Sequence, residues 1–211
     1  MLIEKLVMGY AHTNTFFIKK SNKVIVVDPC LDPGNNSSRL LSMIDGYDVV
    51  AILLTHGHFD HISGVDAITA YQNCPVYIPE TEIDWLGDPE LNLSGMIPEL
   101  VSIKSEAIAL SVGTLVLDDF NFEVISTPGH TSGSFSYIID NHVFDGDFIM
   151  NRSMGRTDLP TGNDVQMYQS IERFVNEYTE KDFFLYPGHG DITTLKDEIL
   201  YNPFIKSILS S

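Results

Sequence analysis

Three histidines and an aspartate fall within six positions in the stretch LLTHGHFDHISG, residues 53–64, directly after an apolar run. The whole chain holds only seven histidines, so this concentration calls for a shared task. His56 and His58 stand two apart on an extended segment, which sends both imidazoles to the same side. Asp60 continues that series, and His61 enters the helix that follows. Four groups of metal-ligand type can then converge on one small volume. Two more imidazoles stand at the ends of predicted strands, where STPGHT presents His130 and LYPGHG presents His189, each after a Pro-Gly turn. In FDGDFI, Asp147 follows another strand, beside a glycine that permits close backbone approach. A carboxylate there has two oxygens and can bridge two cations.

These residues need rigid elements behind them. MLIEKLVM, TNTFFIKKSN and KVIVVDP read as a meander of strands, which begins an antiparallel sheet. A helix is expected near residues 36–45. DVVAILLT is then a continuous apolar run of strand length, suited to burial on both faces, and it ends at the histidine cluster. Ile62, Val65 and Ile68 recur every third position, which predicts one helix from Asp60 to about Tyr71. TLVLDD, FNFEVISTPG, SFSYIID and NHVFDG are four further strand candidates, separated by Asp, Asn, Gly and Pro turns, so a second sheet is implied. Residues 164–178 predict a helix with Val165, Tyr168, Ile171, Phe174 and Val175 on one face and Asp164 as its N-cap. FFLYPGHG is a last buried strand. The expected architecture is α+β, an αββα sandwich of two mixed sheets flanked by helices. No stretch has linker composition, so residues 1–211 are expected to form a single domain.

Composition excludes several partners. Twenty-nine acidic against 12 basic residues give a formal charge of −17, which opposes any sequence-independent grip on nucleic acid or anionic lipid. The N-terminal stretch lacks a basic region followed by an apolar one, and no apolar run approaches the roughly 18 residues that span a bilayer. A cytoplasmic protein is expected, with no membrane partner. Cys30 and Cys74 are too few for a disulfide framework and are expected to be buried thiols. Phe16, Phe17, Phe120 and Phe122 are expected in the core.

The segments VVDPC, LLTHGHFDHISG, TPGHTSGS, DGD, GRTDLP and PGHG, in this order over nearly the whole chain, resemble the metallo-β-lactamase superfamily. The resemblance implies a dinuclear site, with His56, His58 and His130 on one metal, Asp60, His61 and His189 on the other, and Asp147 bridging. The tract GDFIMNRSMGRTDLPTGN is similar to the small glyoxalase II-like hydrolases. That implies a metal-dependent thioesterase acting on a small acyl-thiol such as S-lactoylglutathione through a metal-bridging hydroxide. Two cations held about 3.5–4 Å apart lower the pKa of a shared water, and zinc suits a departing thiolate, although iron or manganese also accept mixed nitrogen and oxygen ligands. Asp60 would in addition orient the nucleophile and carry its proton. Asp147 in place of cysteine, and histidine at position 61, disfavour an antibiotic-hydrolysing role. Mononuclear-iron persulfide dioxygenases share the ligand string and a similar GRTD tract, so they remain the alternative.

The resemblance also suggests supporting residues. Asp28 resembles the family's acidic residue beside the site and is a candidate partner for a metal-bound imidazole, although an Asp before Pro29 is also a common turn former. Arg156 and Asn14 are candidate substrate contacts, while Arg156 with Asp158 equally suits a pair that fixes a loop. Arg152 reads as solvated surface and His142 as a hairpin-turn residue. Only 22 residues follow His189, fewer than the helical extension with which full-length glyoxalase II helps hold glutathione, so the thiol carrier stays open.

Overall fold

Alternating and fully apolar runs in the first half become strands of one sheet. The computed structural model describes residues 1–210, and the chain forms two compact units, the first comprising Met1–Ser111 with Leu117–Asp119. In it β1 (Leu2–Met8), β2 (Thr13–Lys20) and β3 (Lys23–Val27) form the expected meander. Helix α1 (Ser38–Ile44) leads to β4 (Asp48–Leu53), which pairs in parallel with β3. Then come α2 (Phe59–Ile62), α3 (Val65–Tyr71), β5 (Val76–Pro79), two 3₁₀ turns at Glu80–Gly87 and Ser94–Met96, and β6 (Ile108–Leu110). The sheet runs β1-β2-β3-β4-β5-β6, antiparallel at one edge and parallel at the other. Central β4 is buried on both faces as its apolar run requires, and Ile52 and Leu54 pack with Leu40, Ile44, Ile62, Val65 and Ile68 from the helices.

The single helix expected over 60–71 is interrupted at Ser63–Gly64. Gly64 donates its backbone N–H to the Pro29 carbonyl at 2.8 Å. A Cβ there would lie 2.6 Å from Leu40 Cδ2 and 3.0 Å from the Pro29 carbonyl carbon, so only glycine allows this approach. The break ties the segment bearing the histidine cluster to the chain just beyond β3.

In the second unit, β7 (Gly113–Leu117, all but its last residue), β8 (Phe120–Ser126), β9 (Phe135–Ile139) and β10 (His142–Gly146) realise the four predicted strands. A short hairpin follows, β11 (Ile149–Met150) with β12 (Ser153–Met154), then α4 (Asp164–Tyr178), β13 (Phe184–Pro187), β14 (Thr193–Thr194), α5 (Leu195–Tyr201) and α6 (Pro203–Leu209). The sheet order is β14-β13-β10-β9-β8-β7, with β10 and β13 parallel and the pairs β8–β9, β9–β10 and β13–β14 antiparallel. Thus each sheet is mixed and each unit carries its own helices, as expected for the α+β class. The strand at 184–187 is not the last, because β14 follows it.

Helix α4 keeps its predicted bounds but shows a rotated face. Met167, Ser170, Ile171, Phe174, Val175 and Tyr178 are buried, whereas Val165 and Tyr168 are exposed. Burial of Met167, Ile171 and Phe174 against Phe148, Ile149 and Leu185 contributes about 1.5–3 kcal/mol per side chain, which decides the orientation. The N-cap is Asn163 rather than Asp164: its extended backbone (φ −154°) lets its side chain accept from Gln166 N at 2.9 Å. Phe16, Phe17, Phe120, Phe122 and both cysteines are buried as expected. Among the described residues, no helix is long and apolar enough to cross a membrane.

Candidate metal centre

In the first unit the candidate ligand cluster begins just beyond β4 and is anchored by the residue that follows β3. Asp28 adopts φ +51°, a left-handed conformation that aspartate tolerates better than most residues. Its Oδ1 accepts from Thr55 N at 2.8 Å, and its Oδ2 accepts from Thr55 Oγ1 at 2.7 Å and from His61 Nδ1 at 2.8 Å. A carboxylate only accepts, so this bond places the His61 proton on Nδ1 and leaves Nε2 with its lone pair. Because the Thr55 hydroxyl gives its proton to Asp28, it accepts from His56 Nδ1 at 3.0 Å, which leaves the His56 lone pair on Nε2 as well. One carboxylate thus sets the tautomer of two imidazoles.

The four clustered residues are brought together. His56 Nε2 lies 3.1 Å from His58 Nδ1, and the His56 and His61 ring centroids are 4.1 Å apart. His61 Nε2 lies 3.5 Å from Asp60 Oδ2. That same Asp60 oxygen accepts from Thr13 Oγ1 at 2.7 Å, a contact that sequence reading missed. Glu82, fully buried, accepts from Gly57 N at 2.7 Å and braces the backbone between His56 and His58. The Trp85 ring packs 5.7 Å from that of His58. Asn14, beside Thr13 on β2, is 1 % exposed.

The second unit arranges three ligand-type residues around one oxygen. Asp147 Oδ2 lies 3.3 Å from His130 Nε2 and 3.4 Å from His189 Nε2. His130 Nδ1 donates to the Arg156 carbonyl at 2.7 Å, and since a carbonyl cannot donate, the His130 lone pair is on Nε2, facing Asp147. A bond from Gly188 N to Gly146 O, 2.8 Å, holds the His189 turn against the Asp147 turn. Gly155 passes so close that a Cβ would lie 1.9 Å from the Asp147 carbonyl oxygen and 3.2 Å from His130 Cβ. Neighbouring Asp145 is buried, which pushes its carboxyl well above the usual range.

The candidates for other roles are placed as follows. Arg156 Nε and Nη2 donate to Asp158 Oδ1 and Oδ2 at 2.7 and 2.9 Å, an exposed bidentate pair. Arg152 is held by Glu198, and His142 Nδ1 meets Tyr186 OH at 2.8 Å. Thr13, Thr55, Glu82 and Gly155 carry no motif of their own, and none could be found from local spacing.

The Nε2 lone pairs of His61 and His130 face carboxylate oxygens at 3.5 and 3.3 Å and repel them unless a positive charge lies among them. These two meetings, with His189 Nε2 near the same Asp147 oxygen at 3.4 Å, fit nitrogen-and-oxygen coordination of divalent cations.

Comparison with known proteins agrees with this chemistry. The model of the metallo-β-lactamase superfamily matches residues 8–189. A protein of Streptococcus pyogenes named a probable metallo-hydrolase is 35 % identical over 97 % of this chain and 90 % of its own. A Haemophilus influenzae protein named hydroxyacylglutathione hydrolase GloC is 29 % identical over 84 % and 86 %. Among solved structures, one titled BLEG-1 B3 metallo-β-lactamase is 31 % identical with a TM-score of 0.88, covering 97 % of this chain and 99 % of that one. A di-iron-bound form of TTHA1623 is 26 % identical with a TM-score of 0.83 over 95 % and 99 %. ETHE1 from Myxococcus xanthus is 25 % identical with a TM-score of 0.73 over 99 % and 90 %. The chain has the metallo-β-lactamase fold and belongs to the metallo-β-lactamase superfamily.

Proposed function

We propose that this chain, acting as one domain, is a metal-dependent thioesterase of glyoxalase II type that cleaves a small acyl-thiol. The observation that carries the proposal is Asp147 Oδ2, which faces one imidazole at 3.3 Å and another at 3.4 Å, as a carboxylate shared by two ions would. His56, His58 and His130 would hold one divalent ion and Asp60, His61 and His189 the other, with Asp147 common to both. When bound, two such ions lower the pKa of a shared water and polarise the acyl carbonyl, with zinc the first expectation. Asp28 keeps His61 and His56 in the tautomers that present Nε2, and the Arg156 carbonyl does the same for His130. Thr13 donates to Asp60 Oδ2 and so fixes the rotation of that carboxylate. Asp60 takes the proton of the attacking water and passes it to the departing thiolate. Arg156 presents a bidentate ion pair with Asp158 rather than a net cation, and it contacts substrate with the donors the pair leaves over. Asn14, next to Thr13, is the second proposed substrate contact. The GloC relative supports the acyl-thiol reading.

The persulfide dioxygenase reading is supported by the same ligand string and by the Arg156–Asp158 pair of the GRTD tract. One set of measurements separates the readings. The purified protein is assayed for bound metals, S-lactoylglutathione cleavage, oxygen uptake on glutathione persulfide, and hydrolysis of a chromogenic cephalosporin. Two metals per chain and thioester cleavage abolished by a chelator are expected. Oxygen uptake with one iron per chain, or cephalosporin turnover without thioester cleavage, would overturn the proposal.

A further inference from the structure

Beside His189 the second unit opens a cavity of about 310 Å³, lined by Met150, Asn151, Ser153, His189, Gly190 and Asp191. That volume accommodates one arm of a small substrate. Among the described lining residues there is no lysine or arginine, and the one carboxylate is that of Asp191, which is exposed. The cavity wall is the β11–β12 hairpin, whose tip is Asn151–Arg152.

Arg152 is the cation nearest in sequence to serve this cavity, but it is held elsewhere. Its Nη1 lies 2.5 Å from Glu198 Oε1, and its guanidinium carbon lies 5.0 Å from the centroid of the Tyr201 ring. Glu198 is fully buried and also accepts from Arg152 N at 2.9 Å, Thr193 Oγ1 at 2.6 Å and Asn202 Nδ2 at 2.8 Å. A swing of Arg152 toward a ligand would leave a buried carboxylate without its counter-charge, which is strongly unfavourable. Arg156 is neutralised by Asp158. Both arginines of the tract after Asp147 are therefore committed to carboxylates of the chain, and the formal charge of −17 adds a repulsive background for anions.

We infer that the part of the substrate occupying the cavity beside His189 is neutral or cationic, and that the enzyme prefers acyl-thiols on an uncharged or amine-bearing carrier over thioesters of dicarboxylate carriers such as glutathione. This inference rests on the thioesterase reading and deepens it. Asp191 is the residue that sets the preference, as a fixed negative charge at the cavity mouth.

The test compares S-lactoylglutathione with S-lactoyl-N-acetylcysteamine, which is uncharged, on the metal-loaded protein. The neutral substrate is expected to show the higher kcat/KM. Raising the salt from low to near-molar concentration should increase kcat/KM for the glutathione thioester and leave the neutral one unchanged. Asp191→Lys changes the local charge by two units, which at about 8 Å in a water-like dielectric raises the relative rate on a substrate of net charge −1 about sixfold. A preference for the glutathione thioester, or a ratio that Asp191→Lys does not move, overturns the inference while leaving the thioesterase reading intact. If neither thioester is cleaved, that reading fails, and calorimetric binding of the thioethers S-ethylglutathione and S-ethyl-N-acetylcysteamine decides the inference alone. Tighter binding of the neutral thioether supports it; tighter binding of the glutathione thioether, or no binding of the neutral one, overturns it.

Discussion

Replacing Asp28 with asparagine changes one oxygen to an amide and should weaken metal binding without disturbing the backbone. Asparagine accepts φ +51° as readily as aspartate, so the turn itself is preserved. Oδ2 of Asp28 receives protons from both Thr55 Oγ1 and His61 Nδ1, and an amide nitrogen in that place would offer protons instead. The Thr55 hydroxyl can rotate to accept, but the His61 Nδ1–H cannot. The ring is then driven to the other tautomer, with its proton on Nε2, the nitrogen proposed to bind metal. Loss of such an orienting partner typically lowers metal affinity by 10–100-fold, or about 1.4–2.7 kcal/mol. Without metal, the exchange of charge-assisted bonds for neutral or mismatched ones should cost about 1–3 kcal/mol of folding stability. Affinity is read by competition with a chromophoric chelator, and stability by urea unfolding in excess chelator. Zinc affinity within twofold of the wild type, with the apo protein equally stable, would show that Asp28 does not govern the imidazoles and would refute the tautomer argument.

Further outcomes follow from other contacts. Gly155→Ala places a methyl group 1.9 Å from the Asp147 carbonyl oxygen, which is backbone and must move; a loss of about 3 kcal/mol or more is expected in denaturant unfolding, with reduced metal content. Glu82→Ala strips the acceptor from Gly57 N in a buried site and should cost about 1–3 kcal/mol by the same measurement. Burial lowers the His142 pKa below its ordinary value. The unfolded chain therefore takes up a proton first as pH falls below about 6.5, and stability drops as pH falls through that window. His142→Gln should flatten the decline that sets in below about pH 6.5 in a series of urea midpoints; an unchanged slope would refute the assignment. Burial pushes the Cys30 thiol to about 12 and that of Cys74 to about 11. Both should resist iodoacetamide at pH 8 at least about 100-fold more than in denaturant, as followed by mass spectrometry.

The candidate ligands are legible in the sequence and most of their partners are not, and the two cases differ physically. His56, His58, Asp60 and His61 announce themselves because strand geometry puts alternate residues on one side, so local spacing alone argues convergence. His130 and His189 are visible for a related reason, since Pro-Gly turns mark the strand ends that expose them. Thr13, by contrast, lies 47 residues from the Asp60 it touches, and a threonine in a strand carries no signal of such a bond. Gly155 is required for the atoms it lacks, and Arg156 contributes to the His130 geometry through its carbonyl, which every residue type possesses. Helix α4 keeps its expected bounds and buries the expected Ile171, Phe174 and Val175, but Met167, Ser170 and Tyr178 take the places of Val165 and Tyr168 because tertiary packing, not spacing, sets how far the face turns.

The division has a chemical consequence. A ligand's identity is a matter of side-chain type, but an imidazole has two nitrogens, and which one offers a lone pair depends on what the other meets. For His61 the other nitrogen meets Asp28, for His130 a backbone carbonyl, and for His56 a hydroxyl already oriented by Asp28. A chain could keep every histidine of the motif and still lose metal if Asp28 or the path of the backbone at Arg156 changed. Asp28 carries more of this burden than any ligand does singly, because it fixes two rings while its own charge is stabilised by three donors.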